Sequence, residues 1–230
     1  MGVMIEAFDD VNNFIDKNLN NIQNILILGD QVFNLTHFPN HRPSTRYVDI
    51  LKKKYQNINF DVIDIQGDSN LKFNLNNIIE TNKNKYDLIL DYGTVEHVDN
   101  QYNCFLNIDN FLKNGGHYYS ICVDFEKAKE KNEWMDHCFY YYDLDFFKFL
   151  EKTLDWKIIK YYHSNNPLSS SSLIFVFLQK NNLNPEKENL KNIYKNINIV
   201  LRETYITQFN MSNLDNVKNN KAENPDMWSY

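Results

Sequence analysis

A chain of 230 residues with 43% hydrophobic content can bury one sizeable core with appendages. Its formal net charge of -6, without any lysine or arginine block, argues against a surface that tracks phosphates, so nucleic acid is not an expected partner. Cys104, Cys122 and Cys138 are odd in number and show no CxxC spacing, which fits neither a disulfide framework nor a zinc site and points to a reducing, cytoplasmic setting.

Ile5, Phe8, Val11, Ile15 and Leu19 recur at helical spacing, so residues 1–20 read as an amphipathic helix capping the core. The acids near this end stand where a secretory leader would carry basic residues, and no apolar run approaches the roughly 18 residues of a membrane span. A soluble protein without a membrane partner is the expectation. "NILILG" (24–29) reads as a strand stopped by Gly29, and "NFDVIDIQG" (59–67) as a second that ends at Gly67. Between them "STRYVDILKKKY" (44–55) places Tyr47, Ile50, Leu51 and Tyr55 on one helical face, with Ser44 as N-cap behind Pro43. Strand, helix, strand is the parallel crossover unit.

The pattern repeats with "YDLILDYG" (86–93) as a buried strand and residues 102–116 as a helix. Phe105, Ile108, Phe111 and Leu112 form its apolar face, and Lys113 with Gly115-Gly116 its stop; residues 117–123 are the next strand. A helix over 144–153 precedes strands at 156–163 and 172–179, and the stretch joining these is too short for a helical crossover, so the two pair antiparallel. Beyond Pro185, the residues Leu190, Ile193, Tyr194, Ile197, Val200, Leu201 and Tyr205 predict a helix to about residue 209, and 210–230 form a polar tail. The chain thus divides into a capping helix (1–20), a core domain (21–182) and a C-terminal helix with tail (183–230).

In an open α/β sheet, ligands bind beyond the carboxyl ends of the strands. The polar groups there are Gly29-Asp30-Gln31, Asp64 to Gly67, Asp91-Tyr92-Gly93 and Asp124, and four such stops together point to a site. The densest stretch is "DYGTVEHVDN" (91–100). His37 and His41 are set aside as metal ligands, because Pro39 between them breaks the helix that would align them, and no metal is expected.

The stretch "YDLILDYGTVEHVDNQYNCFLNIDNFLKNGGHYYSICV" (86–123) resembles the fourth strand, following helix and fifth strand of class I S-adenosylmethionine-dependent methyltransferases, which often read FDLV, an acid, EHV and a helix ending LKPGG. The likeness in element order extends over about residues 22–180. It implies a Rossmann-like α/β fold: a seven-stranded, mostly parallel sheet in the order 3-2-1-4-5-7-6, the last strand antiparallel, with helices on both faces. It implies S-adenosylmethionine as cofactor, S-adenosylhomocysteine as product, and methyl transfer to oxygen or nitrogen of a small-molecule or sugar-like acceptor. Of the family's glycine-rich first motif only Gly29 of "LILGDQVFNL" remains, which keeps a non-catalytic binding or partner protein of this fold as the alternative. A nicotinamide-dependent reductase is disfavoured by the missing GxGxxG. A homo-oligomer stays open.

Carried over by position, the resemblance puts Gly29 and Asp30 beside the methionine and ribose part of the cofactor, and Asp64 at the ribose hydroxyls. It puts Asn74 or Asn76 at the adenine edge and Asp91 at the charged amino or sulfonium region, with Gly93 and Glu96 in the same loop. His97 and His137 are the candidate general bases, since histidine titrates near neutrality and methyl transfer to oxygen or nitrogen requires a proton to leave the acceptor. Phe139 to Tyr142 read as a wall against water or as part of the core.

Overall fold

A computed structural model describes residues 3–33, 45–135, 137–138, 140–166, 169–181 and 186–199. Ser44, Pro185, His37, His41, Phe139 and the expected helix and tail beyond residue 199 lie outside the described residues. The elements are α1 (Ile5–Lys17), β1 (Asn24–Leu28), α2 (Tyr47–Lys54), β2 (Asn59–Ile63), β3 (Tyr86–Tyr92), α3 (Gln101–Phe111) and β4 (Leu112–Val123). They continue as α4 (Phe125–Lys131), β5 (Tyr140–Tyr141), α5 (Leu144–Leu154), β6 (Trp156–His163), β7 (Leu173–Lys180) and β8 (Asn198–Ile199). Two 3-10 segments, Val95–His97 and Lys187–Lys195, complete the description. No helix among the described residues is long and apolar enough to cross a membrane.

The central strands are apolar on both faces, the mark of a sheet covered by helices on either side. On one face Leu26, Leu28, Ile89, Tyr118 and Val176 pack with Phe105 and Ile108 of α3 and with Phe146 and Leu150 of α5. On the other, Ile25, Ile27, Leu88, Leu90 and Ile121 pack with Val11 and Ile15 of α1 and with Val48 and Leu51 of α2. Each fully buried Leu or Ile of these layers contributes about 1.5–3 kcal/mol.

The sheet runs β2-β1-β3-β4-β7-β6. β1, β2, β3 and β4 are parallel, and β7 lies antiparallel to both β4 and β6, as the short connection requires. The expected seven strands in the order 3-2-1-4-5-7-6 are corrected to six among the described residues, because none of these forms a strand outside β2. There the side-chain oxygen of Asn70 accepts the Val62 N–H at 2.8 Å, and the segment forms only the single bridge Ile63–Leu71. Its further backbone is held by side-chain amides of α3: Asn103 donates to the Asn76 carbonyl, and Asn107 donates to that of Asn77 and accepts from the Ile79 N–H. Side chains thereby satisfy backbone groups that a ladder would otherwise pair.

Other boundaries also shift. α1 ends at Lys17, and Leu19 is half exposed rather than on its buried face. "LKNGG" opens β4 instead of closing α3: Leu112 takes extended backbone and pairs with Tyr86, and Lys113 binds Asp87 at 2.7 Å. α5 starts where Asp143 accepts the Phe146 N–H at 2.9 Å, an N-cap of the usual kind. The segment Lys187–Lys195 is 3-10 rather than α, and it buries Leu190, Ile193 and Tyr194 in the same cluster as α3 and α5.

Candidate functional site

Gly29 and Gly93 follow β1 and β3, and both have φ +77°, a left-handed turn that a Cβ disfavours. These turns carry the chain off the carboxyl edge into two groups of polar residues.

The first group joins the loops after β1 and β2. The Asp64 carboxylate accepts the N–H of Asp30 at 2.8 Å on one oxygen and that of Gln66 at 2.8 Å on the other. Asp30 in turn accepts Arg46 Nε at 2.8 Å and the Asp68 N–H at 3.2 Å. Arg46, which sequence reading passed over, is held largely by this carboxylate, and the contact raises its pKa. Thr94 was also passed over, and Gln31 was named only among the polar stops after the strands. Their side chains hydrogen-bond at 3.2 Å over Gly29, where a Cβ would meet Thr94 Oγ1 at 2.6 Å and Gln31 Nε2 at 2.7 Å.

Asp91 departs from its expected place at the ligand. It is fully buried, its Oδ1 accepts the N–H of Thr94 at 2.8 Å and of Val95 at 3.4 Å, and its Oδ2 accepts Tyr118 and Ser120 hydroxyls at 2.7 and 2.9 Å. Burial pushes its pKa up to about 6, against these hydrogen bonds, with the charge of Glu96 adding to the rise. Asp91 therefore braces the turn after β3 from within.

That turn forms the 3-10 segment Val95–His97. Gln101 fastens it by donating to the carbonyls of Val95 and Val98 at 2.7 and 2.6 Å, while its own oxygen accepts the Tyr142 hydroxyl. Glu96 is consequently fully buried, and neither of its carboxylate oxygens has a hydrogen-bond partner in the described structure. His137 reaches the same point from the loop after α4, where its N–H donates to the Trp134 carbonyl at 2.9 Å. His137 Nε2 lies 3.0 Å from Glu96 Oε1, and His97 Nε2 lies 3.8 Å from it. The two imidazoles meet edge to face at 5.0 Å. Ligating atoms of all three residues lie within 4.8 Å of one another, a grouping that their separation in the sequence did not announce. Glu96 and His137 are largely enclosed, whereas 43% of the His97 side chain faces solvent.

The remaining expected residues are spread around this edge. Asn74 is exposed, and its side chain accepts the Asn76 N–H at 3.0 Å; Asn76 accepts the Asn100 N–H at 2.8 Å, which ties it to the start of α3. Tyr140, Tyr141 and Tyr142 are fully buried core residues, with hydroxyls on Asp99, Trp134 and Gln101. A cavity of about 360 Å³ beside His117, Asp87 and Gly116 lies at the opposite end of the sheet, away from the edge where such folds bind ligands.

No protein-family model matches the chain, and no curated protein matches it. Solved structures do. The plantazolicin methyltransferase BpumL, crystallised with a triazolic desmethylPZN analogue and S-adenosylhomocysteine, is 13% identical over 76% of this chain and 84% of its own, with a TM-score of 0.52. The 1,6-didemethyltoxoflavin-N1-methyltransferase of Burkholderia thailandensis is 11% identical over 74% and 76%, with a TM-score of 0.49. The N-methyltransferase NodS of Bradyrhizobium japonicum WM9 is 10% identical over 77% and 88%, with a TM-score of 0.48. The fold is that of class I S-adenosylmethionine-dependent methyltransferases, with six strands in the main sheet of the described residues.

Proposed function

We propose that the protein is an S-adenosylmethionine-dependent methyltransferase that acts on oxygen or nitrogen of a small-molecule acceptor, sugars included. The observation that carries this reading is the placement, on a methyltransferase fold, of Glu96, His97 and His137 together at the edge where ligands bind.

The residues at that edge fit a nucleoside-bearing cofactor. Each oxygen of Asp64 accepts one backbone N–H, and each keeps a lone pair for a ribose hydroxyl. Gly29 allows close approach of backbone once the flexible amide of Gln31 turns away from it. Asp30 lies in the loop after β1 and Gly93 in the turn after β3, and the exposed Asn74 retains amide donors for the adenine edge. When bound, the sulfonium cofactor supplies an electrophilic methyl group and a neutral thioether leaving group. The chain supplies alignment, and the acceptor's proton goes to the cluster, where His137 accepts it and the buried Glu96 carboxylate offsets the imidazolium charge. His97, on the open side, meets the acceptor.

Calorimetric titration with S-adenosylhomocysteine and with NAD tests this reading. One-to-one binding of the first and none of the second is expected. Binding of NAD alone overturns it, and binding of neither replaces it with the non-catalytic alternative, which the covering of Gly29 by Gln31 and Thr94 would then explain.

A further inference from the structure

We propose that Glu96, His97 and His137 bind one divalent first-row transition metal ion of the zinc, iron(II) or manganese(II) kind. A fully buried carboxylate with neither oxygen hydrogen-bonded is rare, because its desolvation goes uncompensated. The nearest cationic candidate, His137, stands 3.0 Å away, within ion-pair distance but outside hydrogen-bond geometry, so the contact leaves the carboxylate's acceptor positions open. A second imidazole, His97, points its Nε2 at the same oxygen from 3.8 Å. Protonating both rings would set two like charges edge to face at 5.0 Å. A single cation among the three compensates the Glu96 carboxylate and takes both imidazoles as neutral ligands.

The spacing agrees. Metal–nitrogen and metal–oxygen bonds of about 2.0–2.2 Å place tetrahedral ligand atoms about 3.4 Å apart, and the observed 3.0 and 3.8 Å bracket that value. Two imidazoles and one carboxylate select a borderline ion over magnesium or calcium, and three protein ligands leave positions open for exogenous ones. Ligand supply also comes from separate elements: the 3-10 turn contributes two residues and the loop after α4 the third, each turn held by its own hydrogen bonds.

The binding claim stands on these ligands alone; the ion's role rests on the methyl-transfer reading. In that role the open positions, on the solvent side of His97, take an acceptor hydroxyl and lower its pKa. The coordinated hydroxyl loses its proton to solvent, and its oxygen forms the new bond to the methyl carbon as the methyl–sulfur bond breaks. The ion thereby replaces His137 as the group that makes the acceptor nucleophilic, and the acceptor class narrows to molecules with an oxygen able to ligate.

Untagged protein, stripped with a chelator, is titrated with Co²⁺ while its visible absorption is followed, then with Zn²⁺ and Mg²⁺ as competitors. One Co²⁺ per chain is expected, displaced by Zn²⁺ and not by Mg²⁺. His97→Ala and His137→Ala should each weaken Co²⁺ binding at least about tenfold, with the thermal midpoint of the half-exposed His97 variant unchanged. No uptake at one equivalent, wild-type affinity in both variants, or loss of binding in the double variant H37A/H41A instead would overturn the site. S-adenosylhomocysteine is titrated in parallel: failure of cobalt with nucleoside binding retained sinks the metal site alone, and the converse sinks only the methyl-transfer reading.

Discussion

Asp91 is a carboxylate that the turn requires and that the fold nevertheless burdens. Four donors converge on it, yet burial holds its pKa at about 6, above the roughly 3.9 of an exposed aspartate. A folded-state pKa raised in this way favours folding when the group is protonated. Its contribution is fully present below the unfolded value and is lost as pH rises through about 6. The wild-type chain should therefore gain about 1 kcal/mol from this group between pH 8 and pH 5, relative to Asp91→Asn. Urea denaturation of both proteins at the two pH values measures the difference, and parallel stability curves would show that Asp91 does not carry the shift. The position of Asp91 at the end of an apolar strand was legible in the sequence, but its engagement was not. Tyr118 and Ser120 stand on β4, and only the register of Asp91 against Ser120 in the assembled sheet brings their hydroxyls to it.

Among the elements, the sequence announced those with strong local signals. The β6–β7 pairing followed from connection length, and the helix expected over 144–153 stands as α5. The strand runs read from the residues themselves are the six that form the main sheet; the seventh came only from the resemblance, and Asn70, Asn103 and Asn107 hold the segment after β2 by side-chain hydrogen bonds instead. "LKNGG" did not reveal that β4 begins at Leu112, because its anchor is a buried polar network across four elements. Asp109 of α3 accepts Trp156 Nε1 at 3.0 Å and pairs with Lys187 at 2.5 Å and with Lys180 at 3.5 Å. Lys180 is itself buried, donates to the Leu112 carbonyl, and has its pKa lowered chiefly by burial. Removal of one partner from such a pair leaves the other charge uncompensated. Asp109→Ala should lose about 3–5 kcal/mol in chemical denaturation, the range for a broken buried ion pair. A loss below about 1 kcal/mol would mean that the carbonyls around Lys180 suffice.

At the scale of the whole molecule, the sheet works as a rigid plate that gathers residues far apart in sequence: Gly29 and Asp64 at one place on its carboxyl edge, Glu96, His97 and His137 at another. The nomination of both histidines came from sequence, through their positions after the fourth and fifth strands of the resemblance. Their meeting on one buried carboxylate did not, because it depends on the α4 loop, which carries no periodic signal. The assignment of cofactor and acceptor to these two groups has a measurable consequence. A ligand present at a hundred times its Kd stabilises the folded chain by about 2.7 kcal/mol, which for a chain of this size raises Tm by about 5–10 °C. S-adenosylhomocysteine should produce that shift in the wild-type protein under the proposed function. His137→Ala, on the acceptor side, should leave the shift within about 2 °C, since less than about a kcal/mol of binding is then at stake. Gly29→Val should abolish it, because a β-branched residue at φ +77° meets Thr94 and Gln31 and fills the approach to the backbone. Scanning calorimetry of the three proteins at one ligand concentration decides the matter. If His137→Ala lost the shift and Gly29→Val kept it, the nucleoside would lie against the histidine cluster, and the assignment of the two places along the edge would have to be exchanged.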